Sequence, residues 1–198
     1  MRNPARPGRA KANATVPQPP APLERRFGGL VAKIEEGDCV LVLGPRIAAP
    51  RAVAGGDMPI DEHLAARLRE DLGDTGTEPM DLRHALARYQ RERSASACRS
   101  LMQELAAEFD GHTTDLHLDL ASLPFRLVLS ATPDRMMAQA LRTKGKTGVR
   151  EACYDYCRGA DASLRLPTID EPIVYSLFGR HDRPESMVLD DKNLLDYL

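Results

Sequence analysis

The chain has 198 residues, 42% of them hydrophobic and 28% charged, with a formal net charge of −2. That is enough chain for one domain with a full core, and its balanced charge gives no general attraction to nucleic acid or to a membrane surface. No apolar run approaches the roughly 20 residues of a spanning helix. Cys39, Cys98, Cys153 and Cys157 offer one Cys-x-x-x-Cys and no neighbouring histidines, so they read as buried thiols of a cytoplasmic protein and not as a metal site.

Residues 1–23 set Pro4, Pro7, Pro17, Pro19, Pro20 and Pro22 among Ala, Asn and basic residues, with no acid before Glu24. Such a stretch is expected to be a disordered arm, and its prolines oppose the amphipathic helix of a transit peptide. A basic tail touching nucleic acid is the alternative to a plain solvated leader. Residues 24–198 read as the folded domain.

Phe27, Leu30, Val31 and Ile34 recur at helical spacing before Gly37. Cys39-Val40-Leu41-Val42-Leu43 is an apolar run cut off by Gly44-Pro45, as in a buried parallel strand entering a tight loop. Ala48 to Pro59 reads as a long loop. Asp61 is placed to cap a helix carrying Leu64, Leu68 and Leu72, which stops at Gly73. Further helices follow on Leu82, Leu86 and Tyr89, and on Cys98, Leu101, Met102, Leu105 and Phe109, whose methionine and cysteine read as core. Thr114 opens a short helix with Leu116 and Leu120, and a surface helix end explains the nearby His112 and His117 at least as well as a site does.

Phe125–Ser130 is the second strand. Thr132-Pro133-Asp134 then spells a helix start: a capping hydroxyl, proline at the first position and an acid at the positive end. That helix runs through Met136, Met137, Ala140 and Leu141 to Lys144-Gly145-Lys146. Ala152–Cys157 and Ile173–Leu177 are the third and fourth strands. Asp190 or Asp191 caps a last helix with Leu194, Leu195 and Leu198 inward, and with no C-cap the pattern is expected to be incomplete at its C-terminus.

In an open α/β sheet, ligands gather beyond the carboxyl ends of the strands. A glycine after a buried strand lets a phosphate approach the backbone, and a helix N-terminus supplies amide donors. Gly44 supplies the first feature and Thr132-Pro133-Asp134 the second. With Phe178-Gly179-Arg180 after the fourth strand, three strand ends are expected to converge on one site. A structural strand-loop-helix connection explains the same residues without a ligand.

The order of the motifs adds to this. Ile34 to Ala48 resembles the start of the sirtuin-like family, where a helix ending in Gly leads to an apolar strand and Gly-Ala-Gly-x-Ser. Leu123-Pro124-Phe125, strand, Ser130-Ala131-Thr132-Pro133-Asp134 is similar to that family's Leu-Pro-Phe, strand, Thr-Thr-Asn-x-Asp. Pro172 to Gly179 resembles its strand ending in Leu-His-Gly. Pro184 to Leu198 is similar to its Pro-x-Ser-hydrophobic-Val-Leu segment and the helix behind it. The resemblance implies an α/β, Rossmann-like, mostly parallel sheet with a helical insert at about 61–121, between the first two strands. It implies NAD as cofactor, and kinship with bacterial domains of defence and signalling proteins that commonly hydrolyse NAD. The binding residues it implies are Gly44, Pro45, Arg46, Ser130, Thr132, Asp134 and Gly179.

The departures fall where chemistry is expected. Pro45 and Arg46 replace Ala and Gly, although an Arg46 guanidinium could meet a phosphate. Thr132 stands in for an asparagine. Phe178 stands in for the histidine general base and can carry no proton. His181 could substitute, or be an ordinary loop histidine beside Asp182. Cys39 and Ser130 lack a base-and-orienter pair. Three readings follow: a catalytically degenerate module sensing NAD or ADP-ribose or engaging a partner, an active NAD hydrolase with rearranged residues, and an assembly module without nucleotide. A protein partner or further domain is expected, a homo-oligomer is an option, and no membrane is involved.

Overall fold

The computed structural model of the chain describes residues 23–76, 80–154 and 165–197, so the arm at 1–23 lies almost wholly outside the described residues. The order is α1 (Leu23–Glu35), β1 (Val40–Leu43), α2 (Arg51–Ala54), α3 (Ile60–Asp71), α4 (Leu82–Glu92), α5 (Ala95–Ala107), α6 (Asp115–Ala121) and β2 (Leu127–Ser130). Then come α7 (Met136–Thr143), β3 (Arg150–Cys153), β4 (Ile173–Ser176), a 3₁₀ turn (Pro184–Ser186) and α8 (Asp191–Tyr197). The strands form one all-parallel sheet in the order β1-β2-β4-β3, an α/β fold. Leu43, Ser130, Ser176 and Cys153 stand level across the sheet, so all four strands end along one line.

Two cores hold the elements. One is helical and joins Leu64 and Leu68 of α3, Leu86 and Tyr89 of α4, and Met102 and Leu105 of α5 with Phe109. The other lies on the sheet, where Leu43 and Val128 meet Met137 and Leu141 of α7. Ile47, in the loop after β1, packs against both and ties them together. Local chemistry explains the helix starts. The side chains of Asp81, Ser94 and Thr114 accept from the backbone N–H three residues on, satisfying amides that have no partner inside the helix. No helix among the described residues is long and apolar enough to cross a membrane.

Several expectations need correction. β1 is not buried between neighbours: it is a sheet edge, with Val40 51% and Val42 61% exposed. The stripe of α1 is uncovered, since Phe27, Leu30 and Val31 lie open while Ile34 packs half-buried against the sheet core. Thr132-Pro133-Asp134 is a turn, and α7 begins at Met136, whose N–H donates to the Asp134 carboxylate. The loop from Ala48 to Pro59 contains the single turn of α2 and is closed by a bridge between its two ends. Asp61 lies in the first turn of α3 and does not cap it, because Pro59 holds the cap position. On α6 it is His117 that is buried and Leu116 that is exposed, because the Thr114 hydroxyl satisfies His117 Nδ1 at 2.7 Å inside the fold. On α8, Leu194 and Leu195 are exposed, and Leu198 lies outside the described residues. The third strand is Arg150–Cys153, and the Asp155–Cys157 part of the expected strand is outside the described residues.

Candidate functional site

β1, β2 and β4 end side by side, and backbone hydrogen bonds carry their alignment into the loops. Ala131 N–H donates to Leu43 O at 2.9 Å, Leu177 N–H to Ser130 O at 2.7 Å, and His181 N–H to Pro133 O at 3.2 Å. The loops open onto a groove of about 440 Å³. Pro45 borders it from β1, Ala131 and Pro133 from β2, and Phe178 from β4. The opposite wall comes from α4, α5 and the run Met187–Leu189, with Leu194 of α8 at the mouth. The floor is therefore apolar. Its rim carries Asp61, Asp81, Asp190 and Asp191 against Arg83, which is paired with Asp191 at 2.9 Å. A second hollow, between Arg69, Asp74 and Arg88, is ion-paired within itself and shares Asp81 with the rim of the groove.

The residues singled out from the sequence divide into two groups. Gly44, Pro45 and Arg46 are exposed at the groove side of β1. A Cβ on Gly44 would meet nothing within 4 Å, so the backbone there is open to approach. Arg46 is engaged, donating to Glu62 at 2.7 Å with Asp61 at 3.8 Å. Ser130, Thr132, Asp134 and Gly179 are buried. The Ser130 and Thr132 hydroxyls satisfy each other at 3.0 Å. One oxygen of Asp134 caps α7, and the other is closed to solvent with no hydrogen-bond partner among the described residues. His117 is its electrostatic neighbour: burial pushes the imidazole below its ordinary value, and the Asp134 charge opposes that.

Gly179, at φ 85°, has a packing explanation. A Cβ there would lie 2.6 Å from Met187 Cα and closer still to the carbonyl of Ser186, so the glycine lets the segment behind β4 press onto the strand tip. Next to it His181 is buried, with Nδ1 facing Pro133 O at 2.9 Å and Nε2 facing Asp110 at 3.0 Å. It ties the loops of β2 and β4 to the end of α5, and it is absent from the groove lining.

Behind β3 and β4, Glu151 gathers Arg135 at 2.7 and 2.8 Å, Arg142 at 2.6 Å and Arg180 at 3.3 Å. Burial raises its carboxyl, but the hydrogen bonds from Arg135 and Arg142 and the charge of Arg180 outweigh that and hold it at about 2. Arg180 is in turn clamped by Asp182.

The sequence reading missed the far wall of the groove. Leu82, Leu86 and Met102 read as helix core, which they also are. Only the apolar run Met187–Leu189 behind a proline hinted at a segment folding back over the strand ends. No protein-family model matches the chain, and no curated protein matches it.

Proposed function

We propose that the chain is a ligand-sensing or interaction module that holds its ligand in the groove at the ends of β1, β2 and β4 without transforming it. On this reading it is a divergent Rossmann-type domain with α3–α6 as a helical insert, in the defence or signalling setting that the sirtuin-like resemblance implies. The supporting observation is the groove itself: an apolar cavity across three parallel strand tips, where such folds take ligands, with Phe178 at the place of a general base. Weighing against turnover is His181, the one substitute base that the sequence offers, because both its ring nitrogens are already engaged, by Pro133 O and by Asp110.

NAD and ADP-ribose are the ligands this reading names. The floor formed by Pro45, Ala131 and Phe178 suits a nicotinamide or adenine ring. The diphosphate fits less well. The N–H groups of Ile60 and Asp61 at the start of α3 already donate to Ile47 O and Pro45 O, the Asp134 carboxylate caps α7, and the rim is acidic. The ring therefore supplies the affinity and the diphosphate adds little.

Calorimetric titration of the full chain with NAD, ADP-ribose and adenosine tests this. Binding of adenosine about as tight as that of the dinucleotide, abolished by Phe178→Asp in a protein with unchanged circular dichroism, is the expected result. Silence with all three ligands refutes the nucleotide reading, and release of nicotinamide from NAD refutes the absence of turnover. A second reading, an assembly module without nucleotide, is favoured by the apolar surface left open on α1 and β1.

A further inference from the structure

The groove at the strand ends has an apolar floor, and the charge around it is one-sided. Asp61, Asp81, Asp190 and Asp191 border it against Arg83, so the lining sets four carboxylates against one guanidinium. Arg46 does not restore the balance, because it is shared between Asp61 and Glu62, and Glu62 brings a further carboxylate. Arg83 itself is held by Asp191.

The features that would draw an anion are taken up by the chain itself. At the start of α3 the Glu62 N–H donates to the Asp61 carboxylate at 2.9 Å, and at the start of α4 the His84 N–H donates to Asp81 at 2.8 Å. Asp190 likewise accepts from the Asn193 N–H at 2.6 Å. A helix start carries about half a positive charge and a carboxylate a whole negative one, so the starts of α3 and α4 are left negative towards the groove.

We infer that the ligand of this groove is an organic cation whose charge sits on its apolar end, a charged ring or an ammonium group with an apolar body. This rests on the reading of the groove as a ligand site and adds the charge of what enters it. Pro45, Leu86, Met102 and Ala131 cover an apolar body of the size that about 440 Å³ admits. Phe178, 41% exposed, adds an aromatic surface that attracts a cation laid on its face. A neutral ring gains only the apolar contribution, and an anion is opposed by the rim. Within NAD the group of this class is the nicotinamide end, a pyridinium, and not the neutral adenine. The diphosphate of NAD meets the same rim and offsets the gain, so the preference shows in the nicotinamide riboside and is masked in the dinucleotide.

Calorimetric titration of the full chain with four probes tests the inference: oxidised nicotinamide riboside, its neutral reduced form, adenosine and benzyltrimethylammonium. At low salt the oxidised riboside is expected to bind about fivefold tighter than the reduced one, a gap that closes as salt screens the rim. The double substitution Asp81→Asn and Asp190→Asn is expected to close most of the same gap with circular dichroism unchanged, because asparagine caps a helix about as well as aspartate. Equal binding of the two ribosides, with adenosine also bound, overturns the inference and leaves the nucleotide reading standing. Binding of benzyltrimethylammonium alone upholds the cation and overturns the nucleotide reading. A gap that survives high salt, or survives the double substitution in a folded protein, overturns the inference, since its cause is then not the rim. Silence with all four probes refutes both.

Discussion

Replacing Gly179 with alanine separates two explanations of a glycine at a strand tip: room for a ligand, or room for the protein. The residue sits at φ 85°, where an L side chain costs ~1–2 kcal/mol. A methyl group there would also press on the backbone of Ser186 and Met187, which cannot swing aside as a side chain can. Forced overpacking of that kind costs ~1–3 kcal/mol more, and the alanine returns about 0.5 kcal/mol by stiffening the unfolded chain. The expected net loss is about 3 kcal/mol, a large part of the ~5–15 kcal/mol that holds a domain together. Two controls isolate the contributions. Gly73 has φ 72° with nothing within 4 Å, so Gly73→Ala measures the backbone cost alone, about 1 kcal/mol. Gly44 has open space and no positive φ, so Gly44→Ala is neutral or slightly stabilising. Urea titrations with unchanged slope give all three values. If Gly179→Ala loses no more than Gly73→Ala, the 186–187 segment does not press on the strand tip, and the packing explanation of Gly179 fails.

Two further outcomes follow from the charges behind the sheet and beneath the groove. Glu151→Gln removes the shared partner of three guanidiniums and is expected to cost about 3 kcal/mol in denaturant titration. Because the folded carboxyl is held at about 2, below its unfolded value of roughly 4.3, its contribution is complete above pH ~4.3 and is lost as pH falls towards 2. The stability of Glu151→Gln is therefore flatter with pH in that window, and a slope equal to that of the parent protein would remove Glu151 from the account. His181→Leu removes the partner of Asp110, a carboxylate that water still reaches, and leaves Pro133 O with one donor fewer, at a cost of about 1 kcal/mol by thermal unfolding. It leaves nucleotide affinity within about threefold of the parent, since affinity tracks the groove lining, and a larger loss on titration would place His181 in the site.

Local physics was legible where one segment suffices. The stripes of α3, α4 and α5 announced the helical core, with Cys98, Met102 and Leu105 inside it. Thr114 and Asp190 each accept from a backbone N–H three residues on, as capping residues do. Apolar runs separated by helical stretches pointed to a parallel sheet. Each of these depends on contacts within one or two turns of chain, which periodicity and capping chemistry record directly.

What tertiary structure decided depends on distant partners. An apolar run reports that its side chains prefer to be covered, but the strand order alone puts β1 at an edge with Val40 and Val42 open. Thr132-Pro133-Asp134 spelled a helix start, yet the Thr132 hydroxyl went to Ser130 and the cap fell to Asp134. Gly179, one of the binding residues the resemblance implies, owes its room to the segment that folds onto the strand tip, and His181, which the sequence left between a substitute base and a loop histidine, has its second nitrogen facing Asp110, 71 residues away. The residue types at these positions permitted either role; the neighbour brought close by folding, invisible in any short window of sequence, chose between them.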